Sequence, residues 1–387
     1  MVLEKQYSFM MPKHVIAGPD SINEIVKLVK SFGADKVLMV TDKGVWNTGL
    51  VDKPIKLLTE AGIGVEVIND VPPEPEIKQV EELVKRARDF RCDMVISIGG
   101  GSAMDTAKII AALMVGKKSI KEIMEAAETI EKGLPTLMIA TTAGTGSEAT
   151  PNAIVTIPEQ GLKVGIVSRN FMADYVILDP MLTVKLPPAI TASTGIDALA
   201  HAIECFISKK ANPFSDMLAL TAIRLICSSI KTAYTTGENL QARHNMILGS
   251  FYGGMCIASS GTTAVHALSY PLGGRYKIPH GVSNAMLLAH VMEFNKDLIV
   301  DKLSRVAFEM EIEVGAASKD EVADKVIEGL HSLVRELNIP SDLRQYGVGK
   351  KDIDTLVEEA SKVTRLLDNN PKVLSRNDME KIYKKLF

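Results

Sequence analysis

Cysteine is scarce in this 387-residue chain, and the four present, Cys92, Cys205, Cys227 and Cys256, are scattered without a C-x-x-C pair. That excludes a zinc ribbon or a dithiol redox centre, and each cysteine reads as a small buried hydrophobe. An excess of charge is missing too. Lys plus Arg is 44 against 47 for Asp plus Glu, a net −3, too near neutral to hold a phosphate backbone across a broad face, so nucleic acid is not an expected partner. Long apolar runs are also wanting: stretches such as Ile109–Val115 and Ala285–Ala289 fall short of the ~18–20 residues that span a bilayer, so neither a membrane helix nor a membrane partner is expected. Glu4, Lys5, Lys13 and His14 interrupt the start of the chain, which lacks a signal-peptide core and predicts a cytoplasmic protein. No internal repeat or low-complexity tract appears. What is present is ordinary globular material, 46% hydrophobic and 24% charged, enough for two or three domains of ~150 residues.

The first half alternates short β-branched runs with segments of helical period. Lys36–Asp42, Val65–Asp70, Met94–Ile98, Thr136–Thr141 and Tyr175–Leu178 read as buried strands, and Ser21–Ser31, Leu50–Ala61, Glu76–Phe90 and Ala103–Val115 as helices. This alternation predicts a parallel sheet covered on both faces, with ligands beyond the carboxyl ends of the strands. After Leu186-Pro187-Pro188 long helical stretches dominate: Thr191–Ser208, Pro213–Thr235, Leu240–Ser259 and others to Phe387. Two domains are therefore expected, an α/β nucleotide-binding domain over 1–187 and an all-α domain over 188–387, the proline pair stiffening the joint.

Gly99-Gly100-Gly101-Ser102 leaves a predicted strand and opens a predicted helix, where backbone amides and the helix dipole can hold a pyrophosphate. The other reading is a tight turn that binds nothing, and Ser102 with Asp105 forms a capping pattern. Thr141-Thr142-Ala143-Gly144-Thr145-Gly146-Ser147-Glu148-Ala149 formally matches the dinucleotide fingerprint, but the next segment, Pro158-Glu159-Gln160-Gly161, reads as a turn rather than a strand with an acidic end. A loop lining the nicotinamide or substrate side fits better than a second pyrophosphate turn. Asp42 ends a strand, where its carboxylate would accept from a ribose 2′-hydroxyl and repel a 2′-phosphate, or would cap the next turn.

Of seven histidines, His201 lies four residues after Asp197, which on a helix puts carboxylate and imidazole on one face among apolar neighbours. A buried Asp and His need partners, and a divalent cation is a strong one. His266 and His280 flank Leu272-Gly273-Gly274 and would supply further nitrogens. His14, His244 and His331 have no assigned role, and His290 reads as core-lining.

Together the glycine turn, the Thr/Gly loop, Gly195–Glu204 and Pro271–Val282 resemble the iron-containing (group III) alcohol dehydrogenase family, in family order over essentially the whole chain. The resemblance implies a dehydroquinate-synthase-like fold with the active site between a nucleotide domain and a helical metal domain. It implies Asp197, His201, His266 and His280 as metal ligands, and Gly99, Gly100, Gly101, Ser102 and Ala103 as the pyrophosphate loop. Asp42 matches the ribose-reading acid, and Thr141, Thr142 and Thr145 the nicotinamide-side loop. Asn152 and Lys163 match positions near substrate and nicotinamide ribose. Two positions depart from the pattern. Tyr270 stands where many members have a proton-relay histidine, and either its hydroxyl or solvent would pass the proton. Glu74 stands where some carry Asn.

The implied activity is hydride transfer between NAD(H) and a small primary or secondary alcohol and its aldehyde or ketone, with Fe²⁺, or Zn²⁺ as the alternative, on N and O ligands. Expected partners are that small substrate and further copies of the chain, as a homodimer or higher homo-oligomer. The competing readings are a glycerol-type polyol dehydrogenase, a dehydroquinate-synthase-like lyase, and a non-catalytic nucleotide sensor. Basic residues between Asp197 and His280 are spread rather than clustered, which argues against the lyase.

Overall fold

In the computed structural model, residues 6–116, 118–157 and 162–387 are described, and they fall into two compact units, residues 11–185 and residues 186–387 with residues 6–10. The turn expected at 158–161 lies outside the described residues.

The first unit runs β1 (His14–Ala17), α1 (Ile25–Ser31), β2 (Lys36–Asp42), α2 (Lys43–Asn47), α3 (Asp52–Glu60), β3 (Gly64–Val71), α4 (Ile77–Phe90), β4 (Met94–Gly99), α5 (Gly101–Val115), α6 (Ile120–Glu125), β5 (Thr136–Ala140), β6 (Asn152–Ile157), β7 (Leu162–Val167) and β8 (Tyr175–Leu178). Six strands form one sheet in the order β1-β8-β5-β4-β2-β3, every neighbouring pair parallel. Its central strands are apolar on both faces, and Met94–Gly99 is buried throughout, as a sheet covered on both sides requires. From β2 the chain moves outward to β3 and then back across β2 to β4, so the order reverses between β2 and β4. Ligands of such sheets sit at that reversal, beyond the strand ends, where Asp42 and Gly99 stand. β1 and the antiparallel β6–β7 hairpin were not expected. β1 is a four-residue edge strand, and the two strands of the hairpin lie on either side of the 158–161 segment.

The second unit is helical: α7 (Pro188–Ile207), α8 (Pro213–Thr235), α9 (Leu240–Ser260), α10 (Ala264–Tyr276), α11 (His280–Glu309), α12 (Lys319–Glu336), α13 (Ile353–Ser361), α14 (Thr364–Leu367) and α15 (Arg376–Lys384). Pro188 opens α7 at a position that needs no N–H donor, and Asn212 caps α8 by accepting from the Phe214 and Ser215 amides. Ala192, Ala198, Ala200 and Ala202 keep α7 slim, so that it is buried along nearly its whole length. Residues 6–10 lie with this unit because Tyr7 and Phe9 pack on Phe214, with ring centroids 5.9 and 5.3 Å away. Among the described helices α8 alone has the length and mean hydropathy, 1.3, of a bilayer span, which the short apolar runs did not reveal. Its outer face carries Arg224 and Lys231, paired with Glu309 of α11 and Glu336 of α12, while Ala222, Ile223, Ile226 and Ile230 face the core.

One close approach sets the relation of α7 to α11. A Cβ on Gly281 would stand 2.2 Å from the Ser193 carbonyl oxygen, so only glycine admits the first turn of α11 against α7. Gly281→Ala should therefore cost about 2 kcal/mol or more, read as a lowered urea midpoint with an unchanged slope.

Candidate functional site

In the second unit three helices deliver four donor groups. Asp197 and His201 come from one face of α7, His266 from the first turn of α10, and His280 is the first residue of α11. One ligand atom from each lies within 4.8 Å of all the others, and only His280 among them is more than slightly exposed. Asp197 Oδ1 is 3.7 Å from the Nε2 atoms of both His266 and His280, and 4.0 Å from that of His201. The His201 and His266 rings stack at 4.5 Å. Burial pushes the Asp197 carboxyl up, but the three imidazoles and the Asn284 amide outweigh it and hold the group below the usual carboxylate range.

The donor set fits a divalent cation: one carboxylate and three imidazoles converge, and the Asn284 amide nitrogen lies within hydrogen-bond distance of Asp197, His266 and His280. Glu204 supports the set. It follows His201 by three residues on the same face of α7, and its Oε1 accepts from the Thr263 amide (3.0 Å), the Thr263 hydroxyl (2.7 Å) and the Val265 amide (2.8 Å), closing the start of α10. Its Oε2 meets His266 Nδ1, which leaves Nε2 turned to the other donors. Burial opposes ionisation of Glu204, but His266 and Thr263 hold it below its ordinary range. Sequence reading missed Glu204 and Asn284. The signal was the continued spacing, Asp197, His201, Glu204 on one helix and His280, Asn284 on the other.

Tyr270 lies one turn beyond His266, its ring centroid 6.3 Å from that of His280, packed with Ala267 and Leu366. His290 is largely buried: it faces His331 at 4.8 Å, and burial, His331 and Lys385 push its imidazole down to about 4.

In the first unit, Asp42, the glycine turn and the Thr/Gly loop adjoin. A Cβ on Gly99 would meet Ala103 Cβ at 2.7 Å and Asp42 Oδ2 at 3.5 Å, and one on Gly101 would meet Thr145 Cγ2 at 2.8 Å. Asp42 takes the capping role as well, its Oδ1 accepting from the Val45 amide at 3.0 Å. Ser102 does not cap α5. The helix begins earlier, with extended Gly100 as its N-cap, and the Ser102 hydroxyl accepts from the Glu74 amide at 3.2 Å. Thr141 is buried and bonds by its amide to the Gly99 carbonyl, while Thr142 is half-buried. The Asn152 carbonyl accepts from Lys108 at 2.7 Å. Lys163 is paired with Glu74 at 2.5 Å, and Glu74 holds a left-handed backbone, φ 52°.

Beneath these loops lies a polar network. Lys108, wholly buried, donates to Ser147 (2.7 Å) and contacts Asp105 (3.3 Å), while Asp105 accepts from Ser147 (2.5 Å) and the Ile154 amide (3.0 Å). The network thus ties α5 to the Thr/Gly loop and the hairpin. Beside it Glu148 is buried, and desolvation pushes its carboxyl up to about 7 despite Lys108.

Glu204→Gln keeps an acceptor for α10 but removes the charge beside His266, and should weaken metal binding about 10–100-fold in a chelator competition, with the fold retained. Glu148 makes a pH prediction. From its ordinary range up to about 7 the folded chain keeps a proton that the unfolded chain releases, so its contribution to stability falls as pH rises through that window and then levels. Glu148→Gln should remove the slope, so that variant minus wild-type stability grows by about 1–3 kcal/mol between about pH 5 and pH 7.5 in urea melts. A flat difference would mean that the carboxyl is ionised throughout.

The family model described as iron-containing alcohol dehydrogenase matches residues 12–180, and that described as Fe-containing alcohol dehydrogenase family, C-terminal, matches residues 191–387. Long-chain-alcohol dehydrogenase 1 of Geobacillus thermodenitrificans (strain NG80-2) is 38% identical over 96% of this chain and 94% of its own. A crystal structure of 1,3-propanediol oxidoreductase superposes with a TM-score of 0.95 at 35% identity, covering 99% of this chain and 100% of that one. Sulfoacetaldehyde reductase from Bifidobacterium kashiwanohense, solved in complex with NAD⁺, gives a TM-score of 0.88 at 30% identity over 99% of each chain. With both halves of the sequence matched and the Asp and three His brought together, the chain belongs to the iron-containing alcohol dehydrogenase family, metal- and NAD-dependent oxidoreductases of alcohols and their carbonyl counterparts.

Proposed function

We propose that this chain transfers hydride between NAD(H) and a small primary or secondary alcohol and its aldehyde or ketone. The observation that carries the reading is the convergence of Asp197, His201, His266 and His280 within 4.8 Å in a chain whose other unit ends β4 in a glycine turn. These four residues would hold Fe²⁺, with Zn²⁺ as the alternative, and the bound cation would supply a Lewis acid that stabilises alkoxide over alcohol.

The residues divide the remaining work. Gly99, Gly100, Gly101, Ser102 and Ala103 present the start of α5 to a pyrophosphate, the glycines leaving room for close approach. Asp42 Oδ2 faces this turn while Oδ1 caps α2, a placement that accepts from a ribose hydroxyl and repels a 2′-phosphate, so NAD is favoured over NADP. Thr141, Thr142 and Thr145 line the loop beside the turn, and Lys163 and Asn152 belong to the hairpin tied to it through Glu74 and Lys108. Tyr270, beside His280, holds the proton that leaves or joins the substrate oxygen. The unpaired cysteines support a cytoplasmic enzyme. Exposed Leu298 and Phe308 are surfaces that a homodimer or higher homo-oligomer would cover.

Protein loaded with Fe²⁺ without air should oxidise NADH in the presence of short aldehydes, and His266→Ala and His280→Ala should lose metal and turnover together. Tight NADH binding with no turnover on any aldehyde would instead identify a nucleotide sensor. Full metal retention by both variants would remove these histidines from the site.

A further inference from the structure

Asn284 stands one helical turn after His280 on α11 and is completely buried. Its Nδ2 lies 2.6 Å from Asp197 Oδ1, 3.1 Å from His266 Nε2 and 3.2 Å from His280 Nε2. Three of the four converging donor atoms therefore share one NH₂ group, which has two hydrogens to give. Because Glu204 meets the His266 ring at Nδ1, its Nε2 presents a lone pair to this amide, as a ligand nitrogen would to a cation. The other end of the carboxamide, Oδ1, is buried with no hydrogen-bond partner. An amide in this position satisfies part of what the donors require and leaves its own oxygen unpaired, an arrangement that costs free energy unless something else completes it.

We propose that Asn284 is a fifth member of the metal site. Its carboxamide faces the cation and sets the affinity of the site. A half-turn of the amide exchanges its two ends at almost constant shape, so one side chain can offer N–H to the converging lone pairs or a carbonyl oxygen to a hard divalent cation. Leucine has the same bulk and offers neither. Aspartate offers an oxygen with charge. The inference rests on the metal reading above and adds a residue to it.

Co²⁺ is the probe, since its visible absorption reports the number and geometry of its ligands apart from any turnover. Wild type, N284L and N284D are titrated with Co²⁺ against a chelator, and folding is followed by thermal melts. We expect N284L to bind at least tenfold more weakly with a changed absorption band, and N284D to bind at least as tightly as wild type. An N284L dissociation constant within twofold of wild type, together with a superimposable spectrum, would overturn the inference while leaving the metal site intact. An N284D variant as weak as N284L would overturn it too, by showing that only the shape of asparagine matters. If wild type itself took up no Co²⁺ or Fe²⁺, the metal reading would fall first and this inference with it. Should N284L not fold, N284A carries the same comparison.

Discussion

A carboxylate and three imidazoles have to be held with their lone pairs pointing at one another inside a helical core. Such a cluster gains nothing from packing, since each group gives up water and the lone pairs repel. The second unit is arranged around meeting that cost. Small residues keep α7 slim enough to be buried along nearly its whole length, Gly281 lets the start of α11 close on it, and Glu204 uses one carboxylate to close the start of α10 and orient its histidine. The fold there is a frame that holds these four groups together.

The first unit solves a different problem, bringing backbone segments close together at the reversal point of a parallel sheet. Glycines at the end of β4 and the start of α5 lie so close to Ala103 and Thr145 that side chains would collide. The loops around them are anchored from below by the buried Lys108, Asp105 and Ser147 network. A lysine buried this far is costly to keep charged, and burial does push its ammonium down from its ordinary value. In exchange, three segments distant in sequence keep a fixed spacing.

Much of this was legible in the sequence, for reasons that differ by element. The strands Lys36–Asp42 and Tyr175–Leu178 and the helix Pro213–Thr235 have the bounds read from periodicity alone, because buried parallel strands are short unbroken apolar runs and prolines mark helix starts. The Asp197–His201 pair was visible because both residues lie on one helix. His266 and His280 could be named as the further nitrogens but not placed beside the pair, as no local spacing joins α7, α10 and α11, and the family resemblance supported the same two residues. Contacts that depend on tertiary placement stayed hidden. Glu74 gave no sign that it would take a left-handed backbone and grip Lys163 from another strand, nor Asn284 that it would turn inward. Ser102 looked like a helix cap because its spacing to Asp105 is right, but the flexible Gly100 let the helix start sooner.

Asp42 serves two masters, one oxygen steadying the helix that comes after β2 and the other turned toward the glycine bend. Changing it would strip a cap from α2, at roughly 1 kcal/mol. If Asp42 reads the ribose as proposed, a lineage drifting toward the other nicotinamide would have to mend that helix in the same passage.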